Sequence, residues 1–244
     1  MRIASFNMRS GGSIQHWSEI LAVAEPDILL VQETKDPSSL AAAPISSTDI
    51  ADAAWAAVHH GRWGSAVWFR ESSLTPVPIP GFAGWVVGGE VETDSSTIYV
   101  YSVHLPPERG SYIKSANLML DALEPLVAGA PVILGGDWNL TVGVRQPGEP
   151  RGNRPGELEL FDRLENDFGV RSAWRVAHPE GPLPQTLRWV RNPETPYHCD
   201  GIFLPTALTS RVREASVLAG SPWLELSDHN PVVVDWESTV VFDH

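Results

Sequence analysis

The chain has 244 residues, 43% of them hydrophobic, enough for one large core, and its single cysteine, Cys199, excludes an internal disulfide framework. A formal net charge of −13 gives no global field for a polyanion, so nucleic acid would need a local basic patch, and a small phosphorylated substrate is equally compatible. No run of about 18 apolar residues exists and the N-terminus turns polar at once, so neither a membrane span nor a signal peptide is expected and the cytoplasm is the default location.

Short apolar runs separated by Gly, Pro and polar clusters predict strands at Arg2–Phe6, Ile28–Val31, Ala54–His59, Ser65–Phe69, Ala83–Val87 and Thr97–Val103. Further strands follow at Val132–Leu134, Gly201–Leu204, Val212–Leu218 and Pro231–Asp235. Helical spacing falls at Ile14–Ala24, at Ser111–Glu124 with Pro125 as its stop, and at Glu157–Asp167. Strands outnumber helices and several are joined by short turns, which points to a mixed sheet or a pair of packed sheets with helices outside. No repeat or linker divides the chain, so one domain over residues 1–244 is expected. The segment from Arg145 to Arg154 reads as a loop, long enough to suggest a functional one.

Polar residues gather at the strand ends. The first strand exits into Asn7, the second into Gln32-Glu33, Thr97–Val103 into His104, and Val132–Leu134 through two glycines into Asp137-Trp138-Asn139. Asp200 and Asp228-His229 instead precede their strands, so all reach one rim if those two strands run opposite to the other four. Adjacent side chains on extended backbone point apart, which gives Asp228 and His229 separate tasks. Glu33, Asp137, Asp200 and Asp228 are hard oxygen ligands, and Asn7 and Asn139 add amides. This set suits Mg²⁺, or Mn²⁺, better than zinc, and so many carboxylates together call for a cation. Imidazoles and amides beside them can hold a phosphoryl group whose charge grows during attack.

Taken in order, Ser5-Phe6-Asn7, Leu30-Val31-Gln32-Glu33, Gly64-Ser65-Ala66-Val67, Ser102-Val103-His104-Leu105, Gly135-Gly136-Asp137-Trp138-Asn139, Asp200-Gly201-Ile202-Phe203 and Ser227-Asp228-His229-Asn230-Pro231 run from one end of the chain to the other. Their sequence and spacing resemble the endonuclease/exonuclease/phosphatase superfamily, the deoxyribonuclease I-like proteins. The resemblance implies a four-layer α/β sandwich with two central mixed β-sheets flanked by helices. It also implies metal-dependent hydrolysis of a phosphate ester. By the same carry-over Glu33 binds Mg²⁺, while Asn7 and Asp228 complete or support its shell. His229, oriented by Asp200, contacts the scissile phosphate or activates water. His104 and Asn139 donate to phosphate oxygens, and Asp137 positions the water or removes its proton. Which of Asp137 and His229 is the base stays open here.

The resemblance has two departures. Gly201 stands where an aromatic or His is usual, and His104 stands where exonuclease III-like repair enzymes have Tyr, which weakens an abasic-site repair reading. A nuclease or other phosphodiesterase is the leading expectation. A phosphomonoesterase for a small molecule or lipid headgroup is the alternative, and an inactive binding module the third. Trp63, Trp138, Trp189 and Trp223 either pack or stack on bases, with Trp189 the substrate-binding candidate. Arg145, Arg151 and Arg154 either clamp a distal phosphate, Arg151 foremost, or belong to a solvated loop. Cys199 reads as a packed thiol and His59-His60 as a strand-end surface pair.

Overall fold

The structure is a computed structural model that describes residues 1–40, 50–59, 61–93, 96–149 and 151–237. His60 of the His59-His60 pair and Pro150 of the arginine loop lie outside the described residues. In chain order the strands are β1 (Arg2–Gly12), β2 (Ile28–Thr34), β3 (Ala54–Ala57), β4 (Gly64–Phe69), β5 (Thr75–Pro76) and β6 (Val86–Glu92). They continue as β7 (Thr97–His104), β8 (Val132–Asp137), β9 (Val170–Ser172), β10 (Asp200–Pro205), β11 (Val212–Val217) and β12 (Val232–Trp236). Two six-stranded sheets result, ordered β11-β12-β1-β2-β4-β3 and β5-β6-β7-β8-β10-β9. β1 pairs parallel to β2 and β7 parallel to β8, and the other neighbours are antiparallel. Among the described residues no helix is long and apolar enough to cross a membrane.

Period-two alternation makes the layers. Ile3, Leu30, Val100, Ile133 and Ile202 pack between the sheets. Their chain neighbours Ala4, Leu29 and Val31 face outward onto the helix Ile14–Ala24 through Trp17 and Ile20. On the far side Tyr101, Val103, Leu134 and Phe203 meet the helices Tyr112–Val127 and Pro155–Phe168 through Met119, Leu120, Leu123, Leu160 and Leu164. Each such aliphatic side chain, fully buried, contributes about 1.5–3 kcal/mol. The arrangement is the expected four-layer sandwich.

The sequence expectations shift in several places. The helix expected to stop at Pro125 runs to Val127, because Pro125 falls in its last turn, where it forfeits one hydrogen bond while Leu123 and Val127 stay buried. The strand expected at Ala83–Val87 begins at Val86 and runs through Gly88-Gly89, which pair with Tyr101 and Val100. The two- and three-residue strands β5 and β9 carry no alternation that a sequence could show. Finally, the rim is shared by two sheets instead of belonging to one.

Candidate active site

Going up the strands, the layer between the sheets changes from apolar to polar. Above Ile3, Leu30, Val100 and Ile133 come Ser5, Gln32, Ser102 and Gly135, and above those Asn7, His104 and Asp137. At the middle level the Gln32 Nε2 donates to Ser102 Oγ of the other sheet at 3.0 Å and to Ser5 Oγ at 3.4 Å. Ser102 Oγ in turn donates to the Val31 carbonyl at 2.8 Å, so a wholly buried polar tie joins the sheets beneath the site.

Register sets the top level. His104 lies opposite Asp137 across β7–β8, and Asp137 opposite Asp200 across β8–β10, a row of three on adjacent strands. Asn7 Nδ2 crosses from the first sheet to donate to Asp137 Oδ2 at 3.0 Å and to Glu33 Oε1 at 3.3 Å. Asn139, with φ 54°, donates to Asp137 through its backbone N–H at 2.8 Å and its Nδ2 at 3.2 Å. His229 arrives on the segment before β12. Its Nδ1 lies 3.0 and 2.9 Å from the two Asp200 oxygens, and its Nε2 lies 3.8 Å from Asp137 Oδ2. His104 Nε2 approaches Asp137 and Glu33 at 3.7 Å each.

Burial and neighbouring charge divide these groups. Burial lowers the imidazole of His104 below its ordinary range despite Asp137 and Glu33, so it stays neutral in a slot against Trp63 and Trp85, with ring centroids 5.4 and 5.1 Å away. Burial acts the same way on His229 but is outweighed by Asp200, Asp137 and Asp228, which push it up to about 10. Asp137 is raised, by burial first, although His229 and His104 oppose the shift.

Asp228 points away from His229, as neighbouring side chains should. Its Oδ2 lies 3.7 Å from Arg9 Nε. Glu33 accepts from the backbone N–H and hydroxyl of Ser10. Glu33 and Asp228 are thus half-open carboxylates beside the exit of β1, hard donors that fit a divalent cation. A second group also meets the spacing of a metal site: ligand atoms of Asp137, Asp200 and His229 all lie within 4.8 Å of one another. There, however, Asp200 already engages His229 Nδ1 with both oxygens, so we read that trio as a hydrogen-bonded relay and the Glu33 side as the better cation site.

A model of the endonuclease/exonuclease/phosphatase family matches residues 4–229. The chain belongs to that family. It is therefore placed among phosphoester hydrolases. Solved structures give the same fold. An AP endonuclease from Archaeoglobus fulgidus aligns over 98% of this chain and 100% of its own, with 19% identity and a TM-score of 0.69. The APE2 catalytic domain from Xenopus laevis aligns over 99% and 93%, with 19% identity and a TM-score of 0.70. A 3′ phosphatase, NExo, from Neisseria, bound to a product DNA hairpin, aligns over 98% and 100%, with 18% identity and a TM-score of 0.70. No curated protein sequence matches the chain significantly.

Gly201, one of the departures from the family motifs, has a packing reason. A Cβ there would lie 2.8 Å from Cγ2 of Val142, the residue that fills the space an aromatic would take. Sequence reasoning missed the supports of the site. Thr186 Oγ1 accepts from the N–H of both Cys199 and Asp200, at 2.9 and 3.0 Å. Ser227 Oγ donates to the Asn7 carbonyl at 2.7 Å and accepts from the His229 N–H at 3.1 Å. The Arg188 guanidinium reaches Asn230 Oδ1 and the Ser227 carbonyl, while its backbone N–H donates to the Asp228 carbonyl at 2.8 Å. Of the four tryptophans, Trp138 and Trp223 are buried, Trp63 packs on Trp85 and His104, and Trp189 is exposed. Trp189 meets Tyr197 edge-on at 5.8 Å, and Arg151 lies over the same Tyr197 ring at 5.5 Å. The two substrate-binding candidates thus share one neighbour, apart from the buried row.

Proposed function

We propose that this chain, acting as one domain, is a Mg²⁺-dependent phosphodiesterase that cleaves a nucleic acid or nucleotide by attack of water. The observation that carries the reading is the row His104–Asp137–Asp200 with His229 held over it, Nδ1 on Asp200 and Nε2 toward Asp137. A hard divalent cation, Mg²⁺ with Mn²⁺ as substitute, would be held by Glu33 with Asn7 and Asp228. When bound it supplies Lewis-acid neutralisation of phosphate charge.

The remaining work falls to the chain's own side chains. His229 uses Nδ1 on Asp200, so its Nε2–H is the one free to donate to a phosphate oxygen. Asn139 and His104 flank the same space and add donors as negative charge grows on the phosphate. Asp137, which meets both imidazoles and both amides, takes the proton of the attacking water. The new bond runs from water oxygen to phosphorus as the bond from phosphorus to the ester oxygen breaks. Geometry thereby favours Asp137 as base and His229 as phosphate ligand.

A second reading, a phosphomonoesterase for a small phosphorylated molecule, is supported by the net charge of −13, which disfavours long polyanions. Bis(p-nitrophenyl) phosphate and p-nitrophenyl phosphate, each with Mg²⁺, separate the two. The diester is expected to turn over, with loss in Glu33→Ala and His229→Ala, whereas selective turnover of the monoester overturns the first reading. Absence of metal-stimulated hydrolysis across nucleic acids, nucleotides, inositol phosphates and phospholipids would leave a binding module.

A further inference from the structure

Beside Asn139 the site continues into a cavity of about 250 Å³. The first residues of two long helices line it: Ser111 and Tyr112 at the start of Tyr112–Val127, and Arg154 at the start of Pro155–Phe168. Helix starts carry partial positive charge. Arg145 and Arg151 join Arg154 on the wall, Arg145 half-buried and the other two open to solvent as well.

The acids nearby are already committed. Arg145 Nη1 pairs with Glu149 at 3.2 Å. Glu157, the one carboxylate that lines the cavity among the described residues, accepts from Asn153 Nδ2 at 3.2 Å and from the Arg154 backbone N–H at 3.1 Å. Among the described residues neither Arg151 nor Arg154 has a carboxylate partner, and Arg151 meets only the Tyr197 hydroxyl, at 3.4 Å, and its ring. The chain holds 30 acidic residues against 17 basic ones, so two guanidiniums left without acids on one cavity run against its composition. Guanidinium forks match phosphate oxygens in pairs.

We propose that this cavity receives a second phosphate of the substrate, joined by a short spacer to the phosphate cleaved beside Asn139. The inference rests on the phosphodiesterase reading and narrows its substrate to one with at least two phosphates. The second group is either the next phosphodiester of a strand or a terminal phosphate on a small molecule. A local clamp of this kind also explains how so acidic a chain could hold a polyanion.

Two matched pairs of substrates test it, with Mg²⁺ and the intact chain. One pair is thymidine 5′-(p-nitrophenyl phosphate) with and without a 3′-phosphate. The other is trithymidylate and dithymidylate, which differ by one internal diester. The expected result is a kcat/KM at least five-fold higher for the richer member of one pair, and which pair responds tells a terminal phosphate from a strand. Arg151→Gln/Arg154→Gln should cut that ratio at least five-fold, and Arg151→Lys/Arg154→Lys should keep part of it. A wild-type ratio below five in both pairs, or a ratio that survives the Gln variant, overturns the proposal. Should no member turn over, the hydrolytic reading fails by itself, and calorimetric titration with inorganic pyrophosphate decides on the cavity. Binding that weakens at least ten-fold in the Gln variant sustains it, whereas no binding, or equal binding, overturns it.

Discussion

Asp200→Asn isolates the electrostatic hold on His229. Both Asp200 oxygens lie within 3.0 Å of His229 Nδ1, and both residues are buried, so the bond joins a carboxylate to an imidazolium away from water. Hydrogen bonds to charged groups contribute about 1.5–3 kcal/mol. At about 1.4 kcal/mol per pH unit, losing one should lower the titration of His229 by about one to two pH units. In the wild type His229 is pushed up to about 10, above its unfolded value. Its contribution to stability is therefore full below about pH 6.5 and is lost as pH rises through about 10. The variant should lose that contribution at a lower pH. Heteronuclear NMR of the imidazole Cε1–H through a pH series reads the shift directly, and urea melts at pH 6 and pH 9 read its coupling to folding. A His229 titration within half a pH unit of wild type would refute the argument, because the carboxylate would then not be what holds the proton.

Three further outcomes follow from the same geometry. His198 is buried with Nδ1 on the Pro184 carbonyl and is pushed down to about 3 by burial first, so its contribution is full above about pH 6.5 and falls as pH drops toward 3. Between pH 7 and pH 5 this group should account for about 2 kcal/mol of lost stability, and His198→Gln should show that much less loss in urea melts. Glu33→Gln should weaken Mn²⁺ binding at least ten-fold in a paramagnetic titration, whereas unchanged affinity would move the ion to the Asp137–Asp200–His229 group. Gly136 has φ 149° and a Cβ there would fall 1.9 Å from the Val103 carbonyl oxygen, so Gly136→Ala should cost on the order of 3 kcal/mol by denaturant melt. A loss under about 1 kcal/mol would show that β7 and β8 can separate.

Much of the clustering of the candidate site was legible because it depends on a period of two. Once Ile3, Val100 and Ile133 are read as inward, Asn7, His104 and Asp137 must face the same cleft four residues on. The antiparallel run of β10 and β12, needed to bring Asp200 and His229 to that end, also follows from where their polar residues stand. What could not be read was which sheet each strand joins, since alternation says which face is buried and not against what. Thr186 and Arg188 were invisible for a different reason. They lie in a segment with almost no regular structure, where their hydrogen bonds to Asp200 and Ser227 depend on tertiary placement alone. Gln32 did leave a signal, a polar side chain after an apolar strand run, but the side chain that it reaches, Ser102, is 70 residues away.

The tie at Gln32 separates two tolerances that usually travel together. Apolar contact between the sheets is non-directional, so Ile, Val and Leu there can exchange with small shifts of one sheet over the other. Hydrogen bonds at 3.0 and 2.8 Å through Ser102 admit only one offset. Since Glu33 and His229 come with one sheet and His104, Asp137 and Asp200 with the other, that offset is also the spacing of the groups proposed to act on the phosphate. The lower core is thereby free to drift in sequence without detuning the chemistry above it, and a change at Gln32 should disturb turnover more than stability.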